Sequence, residues 1–228
     1  MPKRKAAAPP DDAASGKRGG GGSSAEPGWS VMRCAAKDKA TRAGQGNNKS
    51  PQQKTTCHTV ELRKDGVVGK ARGWLFDRTI EDFNNYRQQG DSRRGFAPGT
   101  PNRAVMLVCD GVYEALRRAL PGATIEDGSI GENLLLSGPA FLAGKDLDVG
   151  TRLRLGETAT VELTEANNPC YRLSYTLWAK LAEAKFGEKW WEHPDLPLSK
   201  EHHPGGRGWL CKVVVEGTVR PGDPCRRL

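Results

Sequence analysis

The residues with the clearest chemical potential lie in Thr164-Glu165-Ala166-Asn167-Asn168-Pro169-Cys170-Tyr171-Arg172-Leu173. Cys170 offers a thiol bracketed by amide side chains and followed by the guanidinium of Arg172. A neighbouring cation and unpaired backbone N–H groups both favour the thiolate, the form that acts as nucleophile or metal ligand. The competing reading is a small buried hydrophobe, the commoner fate of a free cysteine. The other cysteines, Cys34, Cys57, Cys109, Cys211 and Cys225, are scattered without any C-x-x-C pair. Cys57-His58 could form half of a metal pair, but His193, His202 and His203 fall in one distant stretch, so no zinc spacing arises.

The elements around Cys170 follow from residue pattern. Val161 and Leu163 alternate with Thr160, Glu162 and Thr164, which predicts a half-buried strand. Pro169 removes a donor and drives the residue before it out of the helical region, so the strand stops and Cys170 stands beyond a turn. Leu153 and Leu155 alternate with Arg152 and Arg154, and Gly156-Glu157 turns the chain, giving a hairpin over residues 150–163. Ala104 to Cys109 is a continuous apolar run suited to a buried strand. Asp110 is expected to cap a helix with Val112, Ala115, Leu116 and Ala119 on one face, stopped by Pro121-Gly122. Ile130-Gly131-Glu132-Asn133-Leu134-Leu135-Leu136 reads locally as a turn and a core strand. Ser174 is expected to cap a helix through Phe186, whose stripe of Leu177, Trp178, Leu181 and Ala184 or Lys185 packs into the core.

Further strands are expected at Trp29 to Cys34, His58 to Leu62 and Trp209 to Val215, with Glu216-Gly217 as a turn and a last short strand after it. Lys37 to Lys54 reads as a polar loop, Gly69 to Pro101 as a long ordered loop, and Gly187 to Gly206 as a loop holding Trp190 and Trp191. Short strands with turn signals, interrupted by two helices, predict a mostly β protein with α: a β-barrel decorated by helices.

Composition narrows the function classes. The net charge of +8 is concentrated at the start: residues 1–54 carry eleven Lys/Arg against four Asp/Glu, and the remainder twenty-four against twenty-three. A nearly neutral folded part argues against a nucleic-acid-binding face, and no nucleic-acid partner is expected. Residues 1–28 are basic, Gly-rich and low in complexity, and are expected to be a disordered leader to a domain over residues 29–228. No apolar signal region and no run of eighteen apolar residues occurs, so no membrane association is expected. The expectation is an intracellular, cytoplasmic protein with reduced thiols. Lys3-Arg4-Lys5 keeps a nuclear address as an alternative, and Asp11, Asp12 and Glu26 weigh against an organellar transit peptide.

Four motifs occur in order: Asn102-Arg103-Ala-Val105, Gly131-Glu132-Asn133-Leu134, Asn168-Pro169-Cys170, and Gly208-Trp209 with Glu216-Gly-Thr-Val-Arg-Pro-Gly-Asp223. Together they resemble the MOSC domain family, named after the C-terminal domain of molybdenum-cofactor sulfurases, over residues 57–227. The resemblance implies a MOSC-type β-barrel and a stand-alone member that binds the molybdenum cofactor (molybdopterin). It implies Cys170 as catalytic residue and metal ligand, with Arg103 facing the cofactor's phosphate, Asn133 hydrogen bonding at the site and Glu132 orienting its neighbours. Asn102, Gly131, Asn168 and Arg172 complete the expected cofactor-binding set.

The activity implied is reduction of N-hydroxylated compounds such as amidoximes and N-hydroxylated bases. The alternative is a non-catalytic cofactor-binding or persulfide-carrying module that works with a pyridoxal-phosphate desulfurase. No pyridoxal phosphate is expected within this chain, which is too short to hold the desulfurase half. Expected partners are a small-molecule substrate and an electron-donor or sulfur-donor protein. One departure is Gly66-Val67-Val68-Gly69-Lys70, where many members carry aspartate in place of Lys70 and a nearby histidine pair.

Overall fold

The computed structural model describes residues 29–36, 54–71, 74–75, 101–138 and 147–228. The leader and most of the two long loops expected before residue 101 lie outside the described residues. In chain order the strands are β1 (Trp29–Ala36), β2 (Thr55–Cys57), β3 (Thr59–Arg63), β4 (Gly66–Ala71), β5 (Trp74–Leu75) and β6 (Val105–Cys109). They continue with β7 (Leu134–Leu136), β8 (Arg152–Leu155), β9 (Ala159–Ala166), β10 (Trp209–Val215), β11 (Gly217–Val219) and β12 (Pro224–Arg227). The α-helices among the described residues are α1 (Asp110–Ala119) and α2 (Ala179–Phe186).

Seven strands close on themselves in the order β12-β8-β9-β10-β6-β7-β1, because β1 pairs with both β7 and β12. The first and last described strands thus shut the barrel, and closure removes the open edges a sheet would expose. β2 adds outside the ring on β1, and β11-β3-β4-β5 form a second, four-stranded sheet. β6 and β7 run parallel, so the chain must cross over between them, and α1 lies in that crossover.

The run Val105–Cys109 is apolar on both faces because both faces are buried. Val105, Leu107 and Cys109 enter the barrel core with Val31, Leu153 and Val161. Met106 and Val108 face outward into a second core with Val112, Tyr113, Leu116, Leu173, Trp178 and Trp190. That outer core sits under α1 and α2, and it is where the polar groups of interest gather. The 150–163 hairpin forms as β8 and β9, with Leu153 opposite Val161.

Several local expectations need correction. The chain from Tyr171 to Tyr175 is 3-10 helix, Thr176 is extended, and α2 begins only at Ala179. That break resets the helical phase, so Leu177 and Leu181 are exposed while Trp178, Ala179 and Ala182 are buried. Ser174 caps nothing, since its hydroxyl donates to Tyr171 O at 2.6 Å. Asp110 is the first residue of α1 and its carboxylate accepts the N–H of Gly138 at 2.7 Å. Gly217 is the first residue of β11, and β12 forms beyond the Pro221-Gly222 turn where no strand is expected. The loop after α2 is well packed, with Trp190, Leu196 and Leu198 buried. Among the described residues no helix is long and apolar enough to cross a membrane.

Candidate functional site

β9 delivers the thiol. After Ala166 the backbone N–H of Asn167 donates to Gly208 O at 2.9 Å, and its side-chain amide donates to the sulfur of Met106 at 3.1 Å. Pro169 ends the ladder as its missing donor requires, and Cys170 stands in extended backbone before the 3-10 turn that starts at Tyr171. Its carbonyl accepts the N–H of Leu173 at 3.0 Å. Cys170 is half-buried, while the other five cysteines are buried. Burial pushes the thiols of Cys34 and Cys225 up to about 12 and that of Cys211 upward as well, so these three are held as inert thiols.

A second segment meets this turn from the start of β10. Gly205-Gly206-Arg207-Gly208 is buried throughout, and Arg207 is only 5% exposed. Arg207 Nη1 donates to Asn168 O at 2.6 Å, two residues before the thiol. Glycine is needed on both sides of it. A Cβ on Gly206 would lie 1.9 Å from Pro197 O, and one on Gly208 would lie 2.2 Å from Leu107 O at a φ of +95°. Burial weakens the guanidinium's hold on its proton, and the neighbouring acidic groups Cys170, Tyr113 and Glu132 oppose that effect electrostatically, in that order.

Glu132 is fully buried just before β7. Tyr113 on α1 donates its hydroxyl to Glu132 Oε2 at 2.8 Å and accepts the N–H of Gly128 at 2.8 Å. Glu132 Oε1 has no hydrogen bond, and Arg33 Nη1 lies 3.6 Å from it. Burial, with the adjacent Glu132 charge behind it, drives the phenol of Tyr113 well above its ordinary range, so it stays a donor. Arg33 is itself fixed, donating to Thr56 Oγ1 at 3.0 Å and Lys54 O at 3.1 Å.

The remaining residues expected at the site are held by contacts of their own. Asn133 is fully buried and ties strands together: its Oδ1 accepts the N–H of Met106 at 2.9 Å and its Nδ2 donates to Ala35 O at 3.2 Å. Gly131 is buried with φ of +92°, a turn position that favours glycine. Arg103 is partly exposed and paired with Glu165 on β9, Nη2 to Oε1 at 2.5 Å, and the carbonyl of Asn102 accepts the hydroxyl of Thr164. Asn102 and Arg103 therefore dock on the last turns of the strand that leads to Cys170. The side chain of Arg172 lies outside the described residues.

The structure thus gathers Asn168, Cys170 and Glu132 around Arg207, with Tyr113 and Arg33 behind them. Sequence reasoning assigns no role to Arg207, Tyr113 or Arg33. The available signal is a lone charged residue among glycines, Gly205-Gly206-Arg207-Gly208, where close backbone approach leaves little room for solvent. An apolar recess between Leu107, Val108, Leu147 and Gly208 flanks the same segment. Among the described residues no three His, Cys, Asp or Glu side chains converge to hold a metal ion.

A family model described as the MOSC domain matches residues 93–226, more than half of the chain. No curated protein matches. Among solved structures, the YuaD protein from Bacillus subtilis aligns at 18% identity and a TM-score of 0.49, covering 86% of this chain and 96% of that one. YiiM from Escherichia coli aligns at 17% identity and a TM-score of 0.48, covering 89% of this chain and 70% of that one. YiiM from Geobacillus stearothermophilus aligns at 17% identity and 0.47, covering 88% and 75%. Likeness at that level says nothing of function.

Proposed function

The chain belongs to the MOSC domain family, a molybdenum-cofactor-associated family, and from that premise we propose that it binds the molybdenum cofactor through Cys170 and reduces N-hydroxylated compounds. The observation that carries the reading is the setting of Cys170: a half-buried thiol at a strand end, with a buried guanidinium bonded to the same turn. The donor set fits the group. A soft thiolate suits molybdenum, and a single protein thiolate suffices for a metal that brings its other ligands on its own organic part. Buried positive charge beneath the thiol suits an anionic ligand.

When bound, the cofactor would supply the two-electron chemistry that side chains lack. Conversion of an N–OH group to N–H consumes two electrons and two protons and releases water, so an electron-donor protein is part of the proposal. The chain's own residues would hold and orient. Cys170 would ligate the metal, Arg207 and Asn168 would fix its turn, and Glu132 with Tyr113 would hold the buried charge in place. Arg103, at the end of β9 beside Glu165, would meet the cofactor's phosphate by exchanging one carboxylate partner for another anion.

The test is to produce the full chain in a host that makes the cofactor, then measure bound molybdenum and turnover of an amidoxime with a supplied electron donor. Cys170→Ser, nearly isosteric, is expected to lose both. Labile sulfur on Cys170 without turnover would favour the persulfide-carrier reading instead.

A further inference from the structure

The outside of the barrel opposes two guanidiniums across a pair of strands. Leu153 and Leu155 on β8 and Cys225 on β12 are buried in the core, so alternation turns Arg152, Arg154 and Arg226 outward, and all three are exposed. The antiparallel register sets Arg226 directly opposite Arg154, with Thr160 of β9 on the other side of Arg154. Residues so opposed hold their Cβ atoms about 4.5–5.5 Å apart, where like charges destabilise the sheet. The carboxylate of the neighbouring row, Glu162, is already engaged at both oxygens. Its Oε2 accepts Arg152 Nε at 2.9 Å, and its Oε1 pairs with Lys212 Nζ at 2.5 Å. Among the described residues neither the Arg154 nor the Arg226 guanidinium has a hydrogen bond or an ion pair.

The chemistry of that pair selects its ligand. A carboxylate brings one negative charge and two oxygens, and a single bidentate guanidinium uses both oxygens. A phosphate dianion brings close to two charges and at least three acceptor oxygens, enough for two forks side by side. A long polyanion fits less well, because the row beside the pair carries Glu162.

We propose that Arg154 and Arg226 form an exterior binding site for one dianionic phosphate group, free or at the end of a phosphomonoester. Thr160, beside Arg154, is separated from Ala166 by roughly 20 Å of strand, and Cys170 stands beyond Ala166. The site therefore depends neither on the role of Cys170 nor on molybdenum. Bound phosphate would turn a repulsion between β8 and β12 into a bridge, and β12 is the strand that closes the barrel on β1.

The experiment titrates the isotope-labelled full chain with inorganic phosphate, and separately with glycerol phosphate, at low ionic strength held constant with sodium chloride. At about pH 8 both probes are dianions. The backbone amides of Arg154, Cys225 and Arg226 are expected to shift saturably in the magnetic resonance spectrum. Arg154→Gln and Arg226→Gln should each weaken binding about three- to fivefold, and the double variant about tenfold or more. Arg118→Gln, an exposed change on α1, should bind as wild type does. Tighter binding of glycerol phosphate would assign the site to a phosphomonoester, and equal or weaker binding would assign it to free phosphate. Shifts that follow ionic strength alone, or a double variant that binds as tightly as wild type, would overturn the proposal.

Melting supplies a second measurement. Arg154→Glu gives Arg226 a partner across the strands, so it is expected to melt above wild type at low salt. It should also lose the rise in melting temperature that phosphate gives wild type. A wild type that melts as high as Arg154→Glu without phosphate would contradict the proposal.

Discussion

The barrel interior and the outer flank are built from the same strands, yet they bury different things. Leu107, Leu134, Leu153, Val161 and Cys211 fill the interior, where burial holds the thiols of Cys34, Cys211 and Cys225 in their neutral form. Across β6 and β7 the outer flank adds Tyr113, Glu132 and Arg207 to its apolar packing. The interior is a closed seven-strand ring with no surface of its own. The flank is where a strand end, a glycine turn and a helix meet, so polar atoms can be buried there with partners and still reach a half-exposed thiol. On the proposed reading the chemistry sits on the flank and the barrel serves as its support.

The comparison breaks first at Glu132. Glu132→Gln removes the carboxylate that Arg33 and Tyr113 approach, and breaking a buried pair is expected to cost about 3–5 kcal/mol in urea unfolding. Leu153→Ala in the interior should cost about 2–5 kcal/mol by cavity formation while leaving Cys170 alkylation of the folded protein unchanged. A loss below about 1 kcal/mol for Glu132→Gln would mean that the flank charges are more hydrated than their burial implies.

Alkaline pH sharpens the contrast. The folded state holds the Cys225 proton more tightly than the unfolded chain does, because burial raises the thiol to about 12. Its stabilisation is therefore complete below the ordinary thiol range and is lost as pH rises towards about 12. Unfolding free energy should fall between about pH 8 and 11, and Cys225→Ala should remove about 3 kcal/mol of that fall. An unchanged slope in the variant would place the thiol in contact with water.

The smallest stability effect is expected at Arg103. Its pair with Glu165 is 27% and 36% exposed, so Arg103→Ala should change stability by no more than about 1 kcal/mol. Cofactor retention after dialysis should weaken by about 1.5–3 kcal/mol if the guanidinium also meets a phosphate, and Arg103→Lys should recover only part. Unchanged retention in Arg103→Ala would leave the residue as a surface brace for β9.

Legibility in the sequence tracked how local the cause was. The apolar run Val105–Cys109, the alternation of Leu153 and Leu155 and the stop at Pro169 each dictate structure from neighbouring residues, and each element formed. The chain's membership in its family is likewise written in short motifs. The stripe after Ser174 misled because extended Thr176 resets the phase, which no residue count reveals. Asn133 reads as a site amide in sequence, and its splinting of β6 to β1 shows only once the chain has crossed over through α1. Arg207 is hidden for the opposite reason: arginine is ordinarily exposed, and its burial between the tightly packed Gly206 and Gly208 shows only in the fold.

The central claim is that Cys170 is the metal ligand, and molybdenum content tests it most directly. Wild type and Cys170→Ser, produced in the same cofactor-competent host and matched for folding by circular dichroism, are compared by elemental analysis. Molybdenum is expected in wild type and lost in Cys170→Ser, with Cys34, Cys57, Cys109, Cys211 and Cys225 individually replaceable without that loss. Equal molybdenum in wild type and Cys170→Ser would contradict it.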